Sequence, residues 1–142
     1  MGDDFASGPF PEMDREEYKP FWKGTRDARL CFPWCRSCGR YHWYPSILCP
    51  HCQSKEIEWV PIKGRGKVYT WTVVRHLFHS AFKNRLPLIV ALVEFDDAPG
   101  IRLVTNIIRC KPEEVFVSMP VEVIFHMVNK ELTMPVFQPV HK

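Results

Sequence analysis

From residue 67 onward the hydrophobic positions fall in short β-branched and aromatic runs separated by turn signals. This texture predicts strands at 67–77, 88–95, 101–109, 121–128 and 134–140. Asp96-Asp97-Ala98-Pro99-Gly100 reads as the turn between the second and third runs. Lys111-Pro112-Glu113-Glu114-Val115 reads as a helical turn before the fourth, and Asn129-Lys130-Glu131 joins the last two. Five strands in this order, with a short helix between the third and fourth, fit a small Greek-key barrel of the OB type.

Before residue 67 the pattern differs. Tyr18, Phe21, Trp22 and Thr25 recur at three- and four-residue spacing, which is one face of a helix. Asp14 with Glu17 three residues on offers a capping-box-like start, and Pro20 requires the helix to begin late or to kink. Its aromatic face either packs on its own chain or docks on another subunit. Residues 1–13 carry two glycines and two prolines without periodicity and read as a flexible or partner-docked arm. Short strands at 30–34 and 57–61 bracket a segment rich in cysteine.

That segment holds the sharpest chemistry. Cys35-x2-Cys38-Gly39 and Cys49-Pro50-His51-Cys52 are two C-x-x-C pairs with ten residues between them, and each pair closes a tight knuckle around a tetrahedral ion. Four thiolates leave no open position, so the ion is structural rather than catalytic. Zinc is the expected metal. Iron is the alternative, since the same knuckles hold iron in rubredoxins, and a red iron–thiolate absorbance separates the two. Cys31, four residues before Cys35, suits a strand core position better than a fifth ligand. His51, inside the second knuckle, is expected to face solvent.

Length and charge limit what else the chain does. Its 142 residues suffice for one core and a small appendage, and no apolar run approaches the roughly 18 residues of a membrane span. The acidic start, Met1-Gly2-Asp3-Asp4, is the wrong chemistry for a secretory signal, so the expected location is cytoplasmic. The formal charge is +3, which four thiolates and a divalent ion bring down to +1, a weak basis for nucleic-acid binding. Charge is unevenly spread. No acidic residue lies between Glu58 and Glu94, where Lys63, Arg65, Lys67, Arg75, Lys83 and Arg85 fall together with His76 and His79, whereas residues 3–17 are acidic.

No catalytic constellation emerges: there is no G-x-S-x-G, H-E-x-x-H or phosphate-binding glycine loop. Cys110 reads as packing rather than as a nucleophile, and His76 and His79 as surface or partner contacts. Gly64-Arg65-Gly66-Lys67 reads as a bend joining ribbon to barrel. Residues 77–86 place Phe78 and Phe82 next to Lys83 and Arg85, groups that suit a nucleic acid, the phosphates of coenzyme A or an acidic protein equally well.

The order of these features resembles a known family. The aromatic helix, Ala28-Arg29-Leu30, the two cysteine pairs and Gly64-x-Gly66-x-Val68-Tyr69-x-x-Thr72-Val73-Val74 are similar to the rubredoxin-like zinc-ribbon plus OB-fold proteins, long catalogued as a domain of unknown function. Leu86-Pro87-Leu88-Ile89-Val90-Ala91-Leu92-Val93-Glu94, Met119-Pro120-Val121-Glu122-Val123 and the closing Pro135-Val136-Phe137-Gln138-Pro139 continue the likeness over residues 14–140. Ser118 stands where the family usually has glycine.

The resemblance implies a mainly β architecture: an N-terminal arm and helix (1–29), a zinc ribbon (30–62) and a five-stranded OB-type domain (63–142). It also implies a non-catalytic accessory subunit of an acyl-CoA enzyme, foremost a thiolase acting on a 3-oxoacyl-CoA in a degradative pathway, in a hetero-oligomer. A CoA thioester is then bound jointly with the partner, and Arg65, Lys67, Arg75, Lys83 and Arg85 are candidates for touching CoA or the partner. The alternative is a single-strand nucleic-acid-binding OB protein.

Overall fold

A computed structural model describes residues 10–140. The arm expected over 1–13 lies mostly outside the described residues. A single 3₁₀ turn, Glu16–Tyr18, runs into helix α1, Lys19–Arg26. The helix therefore begins late, and Pro20 falls in its first turn, where a missing N–H leaves no intrahelical bond unmade. Asp14 does not cap it, because the first helical turn opens beyond the reach of that side chain and neither N-cap position carries a side-chain hydrogen bond.

Phe21, Trp22, Gly24 and Thr25 are buried, so the aromatic face packs on the chain's own strands. Gly24 makes that approach close: a Cβ there would lie 3.0 Å from the Arg29 carbonyl oxygen and 3.2 Å from Cys31 Sγ. No helix among the described residues is long and apolar enough to cross a membrane.

Two sheets follow. Strands β1 (Leu30–Cys35) and β2 (Ile57–Ile62) pair antiparallel, from Leu30↔Ile62 to Cys35↔Ile57. Strands β3 (Arg65–Val74), β4 (Leu88–Phe95), β5 (Ala98–Asn106), β6 (Pro120–Met127) and β7 (Thr133–Pro139) form a five-stranded sheet in the order β5-β4-β3-β6-β7. The sheet curls until its edges meet. Ile107 bridges Phe137 in parallel, the Ile108 N–H donates to the Phe137 carbonyl at 2.8 Å, and the Thr105 hydroxyl donates to the Pro135 carbonyl at 3.0 Å. This half-barrel is the OB architecture expected from the strand order.

The differences from the predicted strands have local causes. β3 begins two residues early because only Gly64, at φ +78°, is the bend, while Gly66 already sits in the ladder opposite Val121. β3 ends at Val74, where pairing with β4 stops at Val74↔Leu88. The turn before β5 shrinks to Asp96-Asp97 because Ala98, fully buried, pairs with Phe95; Pro99 is tolerated since β5 is an edge strand. Ser118 adopts φ +67°, a left-handed conformation that favours glycine.

Gly66 is a position where no side chain fits. A Cβ would lie 2.6 Å from Val93 Cγ1 and 2.7 Å from the Glu94 carbonyl oxygen, and the latter is backbone held in the β3–β4 ladder. Gly66→Ala is expected to destabilise the protein by about 1–3 kcal/mol through overpacking. A urea melt checks this; an unchanged midpoint would contradict the packing.

The core is shared. Phe32 of β1 stacks on Phe95 of β4 with centroids 5.4 Å apart, Phe95 reaches Phe137 of β7 at 5.9 Å, and Phe21 of α1 closes on Trp43 at 4.8 Å. Helix, ribbon and half-barrel thus bury one continuous aromatic chain.

Candidate metal centre

The two knuckles are built alike. In the first, the Gly39 N–H donates to the Cys35 carbonyl at 2.8 Å and the Cys38 N–H points at Cys35 Sγ at 3.5 Å. In the second, the Gln53 N–H donates to the Cys49 carbonyl at 2.8 Å and the His51 N–H points at Cys49 Sγ at 3.4 Å. The residue after each second cysteine is left-handed: Gly39 at φ +73° and Gln53 at φ +64°. Glycine announced the first of these turns in the sequence. Glutamine gave no signal for the second.

Strand pairing brings the knuckles face to face. Cys35 is the last residue of β1, and the Arg36 N–H donates to the Glu56 carbonyl beside β2 at 2.9 Å. Across the gap Cys35 Sγ lies 3.5 Å from Cys52 Sγ, and Cys38 Sγ lies 3.7 Å from Cys49 Sγ. All four sulfurs fall within 4.8 Å of one another. A tetrahedral ion with sulfur ligands at about 2.3 Å requires sulfur–sulfur separations of about 3.8 Å, so the donor set fits one zinc or iron ion. Cys35 and Cys49 are buried; Cys38 and Cys52 form the exposed rim.

The electrostatics favour a cation. The Cys38 backbone N–H draws the Cys35 thiol down to about 6 against its burial. At Cys52 the Ser54 N–H also pulls downward, but burial and the sulfurs of Cys35, Cys38 and Cys49 outweigh it and push the thiol up to about 12. A divalent ion lets all four ionise together.

Cys31 stands outside this group, half-buried against Gly24 of α1. His51 is exposed, as expected. His42 is buried, and neither ring nitrogen has a hydrogen-bond partner among the described residues; burial first, and then the neighbouring His51, lowers its pKa. Cys110 is half-buried, its thiol donating to the Lys111 carbonyl at 3.3 Å, and burial pushes its pKa up, consistent with packing rather than nucleophilic work.

The candidate cations fall into two groups. Arg65 and Lys67 lie at the start of β3, and Lys67 pairs with Asp96 at 3.6 Å. Arg75 follows the other end of β3, roughly 25 Å away at the rise of a strand, and Lys83 and Arg85 lie in the connection that begins there. In that connection His79 caps the 3₁₀ turn Ser80–Phe82, its Nδ1 accepting from the Ala81 N–H at 3.0 Å. Phe82 lies under the Arg85 guanidinium, 4.8 Å from its ring centre, while Phe78 is largely exposed. Arg109, which the sequence reading passed over, lines the same cavity as Arg85. Its only signal was a cation at a predicted strand end.

Comparison with known proteins matches both modules. The ChsH2 rubredoxin-like zinc ribbon domain corresponds to residues 22–58 and the ChsH2 C-terminal OB-fold domain to residues 59–126. A probable enoyl-CoA hydratase alpha subunit from Thermomonospora curvata is 36% identical over 135 residues, 94% of this chain but 40% of that protein. A DUF35 domain-containing scaffold protein from Methanocaldococcus jannaschii is 35% identical over 98 residues, covering 68% of this chain and 67% of that one. A shorter match, 33% over 61 residues and 36% of its length, is to the benzoylsuccinyl-CoA thiolase subunit BbsA of Geobacter metallireducens. Among solved structures, a chain of the Ltp2-ChsH2(DUF35) aldolase superposes with a TM-score of 0.81 at 32% identity, over 91% of this chain and 98% of that one. This chain thus spans less than half of the first of these relatives and nearly all of the aldolase chain.

Proposed function

We propose a function from the premise that the chain belongs to the ChsH2/DUF35 family, a rubredoxin-like zinc ribbon joined to an OB-fold domain: it is a non-catalytic, zinc-binding accessory subunit of an acyl-CoA-processing complex. Its partner is a thiolase-type enzyme acting on a 3-oxoacyl-CoA. One observation carries the non-catalytic part. The four sulfurs saturate their ion, and no second group of three metal-ligating side chains occurs among the described residues. A closed site clamps a scaffold and leaves carbon–carbon chemistry to another polypeptide. Relatives named as subunits of a thiolase and of a hydratase, and one solved as part of an aldolase, support the assignment to acyl-CoA chemistry.

Cys35, Cys38, Cys49 and Cys52 would hold zinc, which supplies rigidity to the ribbon. The chain's own residues then shape a surface: the exposed Leu77 and Phe78, which follow the exposed Arg75 in the chain, offer an apolar and cationic edge suited to a partner.

Affinity capture of the tagged full chain from its native cells is expected to return a thiolase-type subunit at fixed stoichiometry. Turnover of a 3-oxoacyl-CoA panel is expected to fall at least tenfold when the accessory chain is omitted, a loss of about 1.4 kcal/mol of transition-state stabilisation. Full turnover by the partner alone counts against the proposal. The nucleic-acid reading requires affinity that falls steeply with salt. It is weakened by the engagement of Phe82 with Arg85 and by the split of the cations into two groups.

A further inference from the structure

We infer that the outer edge of β3 between Tyr69 and Val74 is a strand-addition site, where an extended segment of a partner protein joins the five-stranded sheet. The inference deepens the accessory-subunit reading above and takes from it only that the chain has a protein partner.

β3 is paired on both sides for only a few residues. Arg65, Gly66 and Lys67 lie opposite Glu122, Val121 and Pro120 of β6. The last bonds on that side are made at Val68, whose N–H donates to the Met119 carbonyl at 3.1 Å and whose carbonyl accepts from the Ser118 N–H at 2.8 Å. A bulge between Val68 and Thr70 then shifts the register with β4, and a bulge bends its strand away from the neighbour it leaves. From Thr70↔Leu92 to Val74↔Leu88 the pairing is with β4 alone among the described residues. Alternate N–H and C=O groups along this stretch therefore face outward with no backbone partner there.

Proteins guard such edges, and the other strands follow the rule. β5 carries Pro99 and Arg102, and β2 carries Glu58 and Pro61. β1 carries Pro33 and is bridged at Trp34 by Tyr41, β7 is closed by Ile107, and α1 lies against β6. Tyr69-Thr70-Trp71-Thr72-Val73-Val74 has no charge, proline or glycine, and each of its residues is of a type that favours strands. An edge of this composition is open to a further strand, with main-chain hydrogen bonds supplying affinity and the flanks supplying selectivity.

The flanks are cationic. The Arg102 guanidinium lies 3.9 Å from the centre of the Tyr69 ring, and the exposed Arg75 follows Val74. Neither pairs with a carboxylate among the described residues, and no acidic residue occurs between Glu58 and Glu94. The occupant that fits is an extended segment, uncharged and β-branched in its middle, with a carboxylate at each end. A second copy of this chain fits poorly. Twofold pairing is antiparallel and sets Arg75 of each copy against Arg102 of the other.

Titration of the zinc-loaded full chain with two blocked peptides of alternating valine and threonine, one ending in aspartate at both ends and one in lysine, tests the site. The aspartate peptide is expected to bind and to slow amide hydrogen exchange over residues 69–74, and the lysine peptide to bind about tenfold more weakly. Thr70→Lys with Thr72→Lys puts guarding charges at two exposed positions and should abolish binding, with zinc content and melting midpoint unchanged. Should that variant lose stability, Arg75→Glu decides: the aspartate peptide should weaken about tenfold and the lysine peptide tighten, an exchange that damage to the fold does not produce. Equal affinity for the two peptides, or wild-type binding in the lysine variant, would overturn the site. So would a dimer with residues 69–74 protected in the absence of peptide, or protection in the free chain that vanishes when residues 1–9 are removed. Partner capture is read separately. If a thiolase is captured while residues 69–74 exchange as in the free chain, the edge fails and the accessory role stands; peptide binding at the edge without any captured enzyme has the opposite meaning.

Discussion

Cys49→Ser is expected to abolish zinc binding and to unfold more than the ribbon. Bound metal should fall from one ion per chain to none, and the cooperative melt should move to much lower temperature. Cys49 is buried, its N–H bonded to the Ser54 carbonyl at 2.9 Å, so a replacement ligand cannot swing in from solvent. Structural zinc contributes about 10–16 kcal/mol in comparable peptides, which matches or exceeds the roughly 5–15 kcal/mol that stabilises a whole domain. A two-stranded sheet such as β1–β2 is marginal without it.

The loss is not confined to the ribbon, since Phe32 of β1 packs on Phe95 of the half-barrel with ring centres 5.4 Å apart. Unfolding the ribbon therefore uncovers the shared core. Metal analysis with near-ultraviolet circular dichroism through the melt checks the outcome; a variant retaining one zinc and the wild-type midpoint would refute the site. Binding also weakens as pH falls, because protons compete for the thiolates.

Phe32→Ala is expected to cost about 3–5 kcal/mol while leaving zinc bound, since a Phe-to-Ala change in a core removes transfer energy and leaves a cavity. Phe32 is fully buried, with Phe95 at 5.4 Å, Trp43 at 5.3 Å and Phe21 at 6.4 Å between ring centres. It is the side chain on which helix, ribbon and half-barrel converge, so the site cannot collapse by moving one element alone. The melting midpoint should drop by roughly 10–20 °C at this chain size. Unaltered metal content with lowered stability separates this variant from Cys49→Ser. A loss below about 1 kcal/mol would mean that the three parts do not share a core.

Much of this was legible because it is local. A C-x-x-C pair closes its own knuckle, so Cys35, Cys38, Cys49 and Cys52 could be named from spacing, and the structure places their sulfurs within 4.8 Å. The alternation Leu88–Phe95 carries its burial pattern in its own side chains, and the strand appears at the predicted residues. The aromatic helix face was equally plain. Its partner was not, because periodicity says which face is buried and not against what.

Adjacency across the fold was outside the reach of the sequence. Arg65, Lys67, Arg75, Lys83 and Arg85 look like one band along the chain, yet β3 carries the first two away from the last three. Arg109 comes to Arg85 only because β5 pairs with β4 and ends beside the connection that precedes it. The left-handed Gln53 and Ser118 gave no glycine to mark their turns.

The sequence by itself determined the cysteine quartet, the strand count and the family, since these depend on residue types at short spacing. Tertiary structure alone decided that ribbon and barrel share one core, and which cations meet at one cavity. Strand order and register set those proximities, and they depend on pairings between residues far apart in the chain.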